Sequence, residues 1–330
     1  MLTILRTFSL PLFCSLLALG LVWLGLGFSA FSTALLLIIL EVTLSFDNAV
    51  VNAKVLARMS PLWQKRFLTW GMFIAVFFTR AILPILIVAI SVEMSPITVA
   101  RLVFHDPDAY ASLLASAHYA IYSFGGTFLF LVSLTYFFDT EKETHWIGTI
   151  EKYLSKWGHV EALEIFMTLA FLVLVALLSS SHNGSTILIA GITGVVLFLL
   201  AQGVTSAFSV STTSTVKNGF ALFIYLNVLD AAFSLDSVVG AFALSNQIAV
   251  ITVGLGIGAY CVRTLTIYMV HHQTLDALIY IENGAHWAIL GLAVVMFAGL
   301  FVEVPEPITG FIGLLFVGLA YWSSVKLLRS

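Results

Sequence analysis

The sequence predicts an all-α, polytopic membrane protein of about ten transmembrane helices arranged as an inverted three-plus-three repeat. Three observations carry this. Of 330 residues, 60% are hydrophobic and 9% charged, with a mean hydropathy of +1.06, whereas roughly a quarter of residues are charged in a soluble domain. Apolar runs of about 20 residues, the length that crosses a bilayer, recur from end to end. An acidic motif occurs twice, with an odd number of predicted crossings between its copies.

The apolar runs fall at 8–27, 31–57, 66–92, 112–138, 162–181, 186–206, 218–244, 249–270, 284–303 and 307–325. They divide the chain into an extra N-terminal span or signal anchor (1–30), a first core repeat (31–138) and a connection (139–161). Two linking spans (162–217), a second, inverted core repeat (218–303) and a C-terminal span (304–330) follow. Arg6 ahead of an apolar stretch that ends at Ser29 and Ala30 also fits a cleaved signal, but the stretch is long and its flank weakly basic. The connection interleaves charges with Trp146, Ile147, Ile150, Tyr153, Leu154 and Trp157, a pattern suited to an amphipathic interfacial helix or a solvated linker. The stretch from Arg101 to Asp108 is polar and carries no recognisable motif.

With ten spans, Arg6, Lys54, Arg58, Lys65, Arg66, Lys142, Lys152, Lys156, Lys217, Lys326 and Arg329 share one side, against Arg101 on the other. Positive charge accumulates on the cytoplasmic side, so both termini are expected there. The net charge of −3 and the lack of a basic patch exclude nucleic acid as a partner. Cys14 and Cys261 both sit in apolar runs, where a thiol packs as a small hydrophobe.

The recurring motif is acid-x-x-apolar-Ser-apolar-Asp-(Asn/Ser)-x-Val, with Glu41, Ser45, Asp47 and Asn48 in the first copy and Asp230, Ser234, Asp236 and Ser237 in the second. Arg80 follows Gly71 by nine positions, and Arg263 follows Gly254 by the same nine. Each ionisable group at the bilayer centre costs at least about 2.5–3.5 kcal/mol, so six of them need partners. Glu41, Asp47, Asp230 and Asp236 against Arg80 and Arg263 leave a formal balance of −2, which a divalent cation or two protonated carboxylates would cancel.

Glu41, Ser45, Asn48 and Asn52 form one oxygen-bearing helical stripe; Asn227, Asp230, Ser234 and Ser237 form another. Asp47 and Asp236 lie off those stripes, so either the helices unwind near Ser45 and Ser234 or the second acid faces its arginine. Carboxylate, amide and hydroxyl oxygens suit manganese, magnesium or calcium. The four acids are thus candidate metal ligands, Ser45, Asn48, Ser234 and Ser237 support them, and Arg80 and Arg263 serve as counter-ions. An ion-paired polar seam between helices is the purely structural alternative. His118, Glu282 and His286 are candidate proton-relay groups, with packing histidines as the simpler reading. Gly125, Gly126, Gly254, Gly256, Gly258 and Gly284 are read as points of close helix approach.

The two motifs resemble the signatures of the TerC family, membrane proteins named for tellurium resistance, within the LysE-type transporter superfamily. Val239 stands where that family commonly has proline, and segments such as Glu282-Asn-Gly-Ala-His286 look like a less characterised branch. The resemblance implies manganese export across a bacterial cytoplasmic membrane, with the motif acids binding the ion and no resident cofactor. Alternating access is the mechanism expected, with proton exchange as one way to drive it. A membrane scaffold of a metal or tellurite stress-resistance complex is an alternative, and an intramembrane di-aspartate enzyme a remoter one. Beyond the ion and the lipid bilayer, a homo-oligomer is compatible with the sequence.

Overall fold

The computed structural model describes residues 2–71, 73–179, 183–209, 215–245, 247–271 and 278–329, and every regular element among them is helical. In chain order these are α1 (Leu2–Leu44), α2 (Phe46–Ala57) and α3 (Pro61–Arg66), then two π-helical stretches (Phe67–Gly71 and Ile74–Ile82) and α4 (Leu83–Ser91). Next come α5 (Pro96–His105), α6 (Pro107–Ser116), α7 (His118–Phe137), α8 (Gly148–Trp157), α9 (Leu163–Leu178) and α10 (Gly184–Ser209). The last four are α11 (Thr215–Leu244), α12 (Ile248–His271), α13 (Ile281–Gly299) and α14 (Glu306–Arg329).

α1 is interrupted at Gly27, whose φ of 87° and ψ of 178° only glycine adopts readily. The break falls where the first apolar run ends. After it the chain turns apolar again, and Ala34 and Leu37 pack with Val250, Ile251 and Leu255 of α12. The second expected span, 31–57, divides at Ser45, which ends α1 and precedes α2. Its backbone still bonds at both ends, Ser45 N to Glu41 O and Ala49 N to Ser45 O, each at 3.0 Å. No such division occurs at Ser234, which lies inside the continuous α11.

Among the described residues, six helical segments are long and apolar enough to cross a membrane: Leu12–Leu44, His118–Phe137, Gly184–Gly203, Ile248–Val270, Ile281–Gly299 and Phe311–Leu328. A bent pair, Phe78–Ser91 with Pro96–His105, makes a seventh if counted as one span. The sequence expects ten. Among the expected spans that fall short, α2 is set off from α1 at Ser45, and α9 (Leu163–Leu178) is an apolar helix of 16 residues.

The stretch from Arg101 to Asp108, read as motif-free loop, is mostly helical. Ser95 Oγ accepts from Thr98 N (3.2 Å) to start α5, and Asp106 Oδ1 accepts from Ala109 N (3.0 Å) to start α6, with proline in the first turn of each. At the centre of the molecule stands α7, buried along most of its length against α10, α11 and α13. Gly125 lies so near Met296 of α13 that a Cβ there would come within 2.6 Å of its Cε, and Gly126 packs beside it. The close approach expected of this glycine pair is present.

Candidate ion-binding site

α1, α2, α11 and α12, with the second π-helical stretch, converge on a small cavity of about 20 Å³. Its polar lining is Glu41, Ser45, Asn48, Asn52, Arg80, Asp230, Ser234, Arg263 and Thr266. All four members of the first oxygen stripe line it, as the four-three-four spacing requires. From the second stripe Asp230 and Ser234 line it, whereas Ser237 is buried outside the lining.

Each leading acid is paired with the arginine that follows it in sequence. Glu41, with no exposed surface, pairs with Arg80 and also accepts from Ser45 Oγ at 3.0 Å. Asp230 takes Arg263 Nη2 on Oδ2 at 2.5 Å. Its other oxygen accepts from Asn48 Nδ2 (2.9 Å) and Asn52 Nδ2 (2.7 Å), so the first motif grips the acid of the second. In the opposite direction the hold is by close packing, since Gly258 of α12 lies against Glu41 and a Cβ there would come within 2.5 Å of its Cβ and Cγ.

The π-helical stretch Phe67–Gly71 explains how Arg263 is held. A π turn shifts backbone bonding from i+4 to i+5 and leaves carbonyls open to other donors. Phe67 O accepts from Arg263 Nη1 at 3.0 Å, and the guanidinium carbon lies 4.1 Å from the Phe67 ring centroid. Gly71 makes room, because a Cβ there would sit 2.8 Å from Nη1.

Ser234 Oγ donates to Asp230 O (2.7 Å) and Ser237 Oγ to Ser234 O (3.0 Å), so both hydroxyl protons are committed to their own helix. The Ser234 oxygen keeps acceptor capacity toward the cavity. Glu41 Oε2 and Asn52 Oδ1 are buried and have no hydrogen-bond partner among the described residues. Orphaned buried acceptors are costly, and they are the atoms a cation would satisfy. The side chains of Asp47 and Asp236 lie outside the described residues, and among those described no three His, Cys, Asp or Glu side chains cluster to hold a metal. The four described charges at the cavity cancel in pairs.

The histidine and glutamate candidates sit away from this lining and at two ends of α13. His118 Nε2 bonds Gly299 O (2.8 Å) at its C-terminus, with the ring 4.0 Å from that of Tyr122. At the N-terminus Glu282 pairs with Lys54 of α2 at 2.7 Å, and His286 stacks on Tyr136 with ring centroids 3.6 Å apart.

Several residues escaped sequence reading. Asn52 was legible in the stripe, but its grip on Asp230 was not; Phe67 acts through a carbonyl, which has no side-chain signal. Glu151 of α8 is wholly buried, accepting from Lys142 Nζ (2.7 Å), Asn283 Nδ2 (2.6 Å), Trp287 Nε1 (2.9 Å) and the Ile147 amide (3.1 Å). Burial pushes its carboxyl pKa up, but the bonds from Lys142, Trp287 and Ile147 outweigh that and hold it below the ordinary glutamate value. The 139–161 connection is therefore clamped onto α13.

Residues 46–330 match the family described as protein of unknown function (DUF475). No curated protein and no solved structure matches the chain.

Proposed function

The chain belongs to the DUF475 family, and we propose that it is a divalent-cation transporter, with manganese export from the cytoplasm as its activity. One observation carries this reading: a buried cavity with room for a single water or bare ion is lined by hard oxygens, and each described carboxylate there is held by an arginine. Arginines in those positions act as stand-ins that keep the empty site together and must yield when a cation arrives. Asp47 and Asp236, one per motif, would supply the two negative charges that the described pairs do not, matching a divalent ion.

The likeness of both motifs to the TerC family supports the same reading. So does the recurrence of an acid–arginine pair in each half, which suits an inverted repeat that rocks about a shared site. In this reading the ten-span topology places both termini in the cytoplasm of a bacterial cell, and a weak site with exchangeable waters lets the ion leave.

The cancelling pairs also favour a second reading, a polar seam that only fastens helices, as a scaffold would need. Manganese flux into proteoliposomes separates the two. Wild type should transport manganese, with Glu41→Gln, Asp47→Asn, Asp230→Asn and Asp236→Asn all inactive. Correctly inserted wild type that moves neither manganese, calcium nor magnesium would leave the seam as the better account.

A further inference from the structure

Two cavities share one side chain. Arg80 lines the ion cavity, and it also lines a second cavity of about 280 Å³ whose walls come from α4, α5, α6, α11 and α12. Val103, Tyr110, Phe242, Ile251 and Leu255 typify that second lining, and Arg80 is the only charged member among the described residues. α5, one of its walls, carries Arg101, the residue that the charge bias sets opposite the cytoplasm. Arg263 borders the ion cavity and is tied to Asp230 and to the ring and carbonyl of Phe67.

We propose that Arg80 is the outer gate of the ion path: a cation arriving at Glu41 displaces the guanidinium into the neighbouring cavity, which then wets and opens. This rests on the transporter reading of the same site. In a low-dielectric pocket a cation arriving on Glu41 Oε2 repels the guanidinium held by the other oxygen of the same carboxylate and weakens its hold. The displaced guanidinium needs space and solvation, and the volume it already borders is the apolar cavity. Such a cavity stays dry while nothing charged enters, and a dry apolar constriction is closed to ions. A guanidinium cannot be buried there without bringing water with it. Ion binding on one face of Arg80 and hydration on the other therefore become one event, and return of Arg80 to Glu41 expels the ion outward and dries the path again.

The test uses the full chain in nanodiscs, with Cys14→Ala and Cys261→Ala as background and Thr252→Cys as reporter. Thr252 lines the outer cavity and not the ion cavity. The rate of reaction with a hydrophilic maleimide is followed with and without manganese, while binding is read separately from loss of the free manganese EPR signal. Manganese should speed labelling by about tenfold, within the usual range of coupling between sites. Glu41→Gln should abolish that response. Arg80→Gln, which has no charge to carry into the cavity, should label at the slow metal-free wild-type rate with or without manganese, and Arg80→Lys, which retains a cation for Glu41 and guards against misfolding, should still respond to manganese. Manganese binding that leaves the wild-type labelling rate unchanged would overturn the gate, as would Arg80→Gln labelling that still speeds up with manganese. Absence of binding in the EPR arm would instead bring down the transporter reading, and the gate with it.

Discussion

Asn52 in α2 donates a 2.7 Å hydrogen bond to Asp230 in α11, although 178 residues separate them in sequence. Asn48 joins the same oxygen one turn earlier, so Asp230 is the joint between the two motif-bearing halves. Because Asn52 Oδ1 is buried without a partner among the described residues, the amide presents a donor to the acid and an acceptor to whatever enters.

Replacing that amide by an acid makes a direct test. Asn52→Asp sets a second carboxylate against Asp230, removing a buried bond and adding repulsion, so the metal-free protein should lose about 1–3 kcal/mol. Manganese should then restore more stability than it gives the wild type, since binding to the folded state alone stabilises by mass action. Thermal unfolding in detergent with and without manganese checks this. An equal manganese shift in both proteins would place the ion elsewhere.

For the Arg263–Asp230 pair, both partners are nearly buried, at 5% and 9% side-chain exposure. Arg263→Leu alone should destabilise by about 3–5 kcal/mol, because it strands Asp230. The double change Arg263→Leu with Asp230→Leu should cost markedly less while abolishing transport. A double-mutant cycle of thermal stabilities measures the coupling, and additive losses would show that the pair does not act as a unit.

Much of this site was legible from residue type and spacing. Membrane character followed from the scarcity of charge, and the stripe at Glu41, Ser45, Asn48 and Asn52 followed from helical periodicity. The pairing of each leading acid with its own arginine did not, because sequence gave the arginines as counter-ions without fixing which acid each meets. Ser-Pro and Asp-Pro at 95–96 and 106–107 are helix-start signals, yet they sit among polar residues that suggested a loop. The connection that carries Glu151 reads as an amphipathic interfacial helix or a solvated linker; the burial of this acid depends on Asn283 and Trp287, more than a hundred residues away. Non-local partners of that kind leave no trace in local periodicity.

Gly258 sets how closely α12 approaches Glu41. Gly258→Ala places a methyl group within 2.5 Å of the Glu41 side chain, closer than real contacts allow. Glu41 would have to shift, and overpacking of this kind costs about 1–3 kcal/mol. Weaker manganese binding is expected, while Gly148→Ala, with nothing within 4 Å, should leave binding unchanged. Titration by EPR compares them, and equal affinities would show that Glu41 does not contact the ion.

Two acids near the start of α13 should behave differently because their solvent exposure differs. The Lys54–Glu282 pair is 43% and 25% exposed, so Glu282→Gln should cost no more than about 1 kcal/mol and the effect should shrink in high salt. Glu151 is fully buried and bonded on both oxygens, so Glu151→Gln, which turns an amide donor toward Lys142 or Trp287, should cost about 3 kcal/mol. Because the folded protein holds this carboxyl below its ordinary value of 4.5, the unfolded chain binds the proton first as pH falls. The stabilisation from Glu151 is complete above that ordinary value and is lost as pH drops through the depressed folded one. Burial lowers the pKa of Lys142 from its ordinary 10.5, against the opposing pull of Glu151. Thermal unfolding from neutral pH down to about 3 should therefore show the wild type losing stability more steeply than Glu151→Gln. Parallel curves would mean that the carboxylate is not the group fastening α8 to α13.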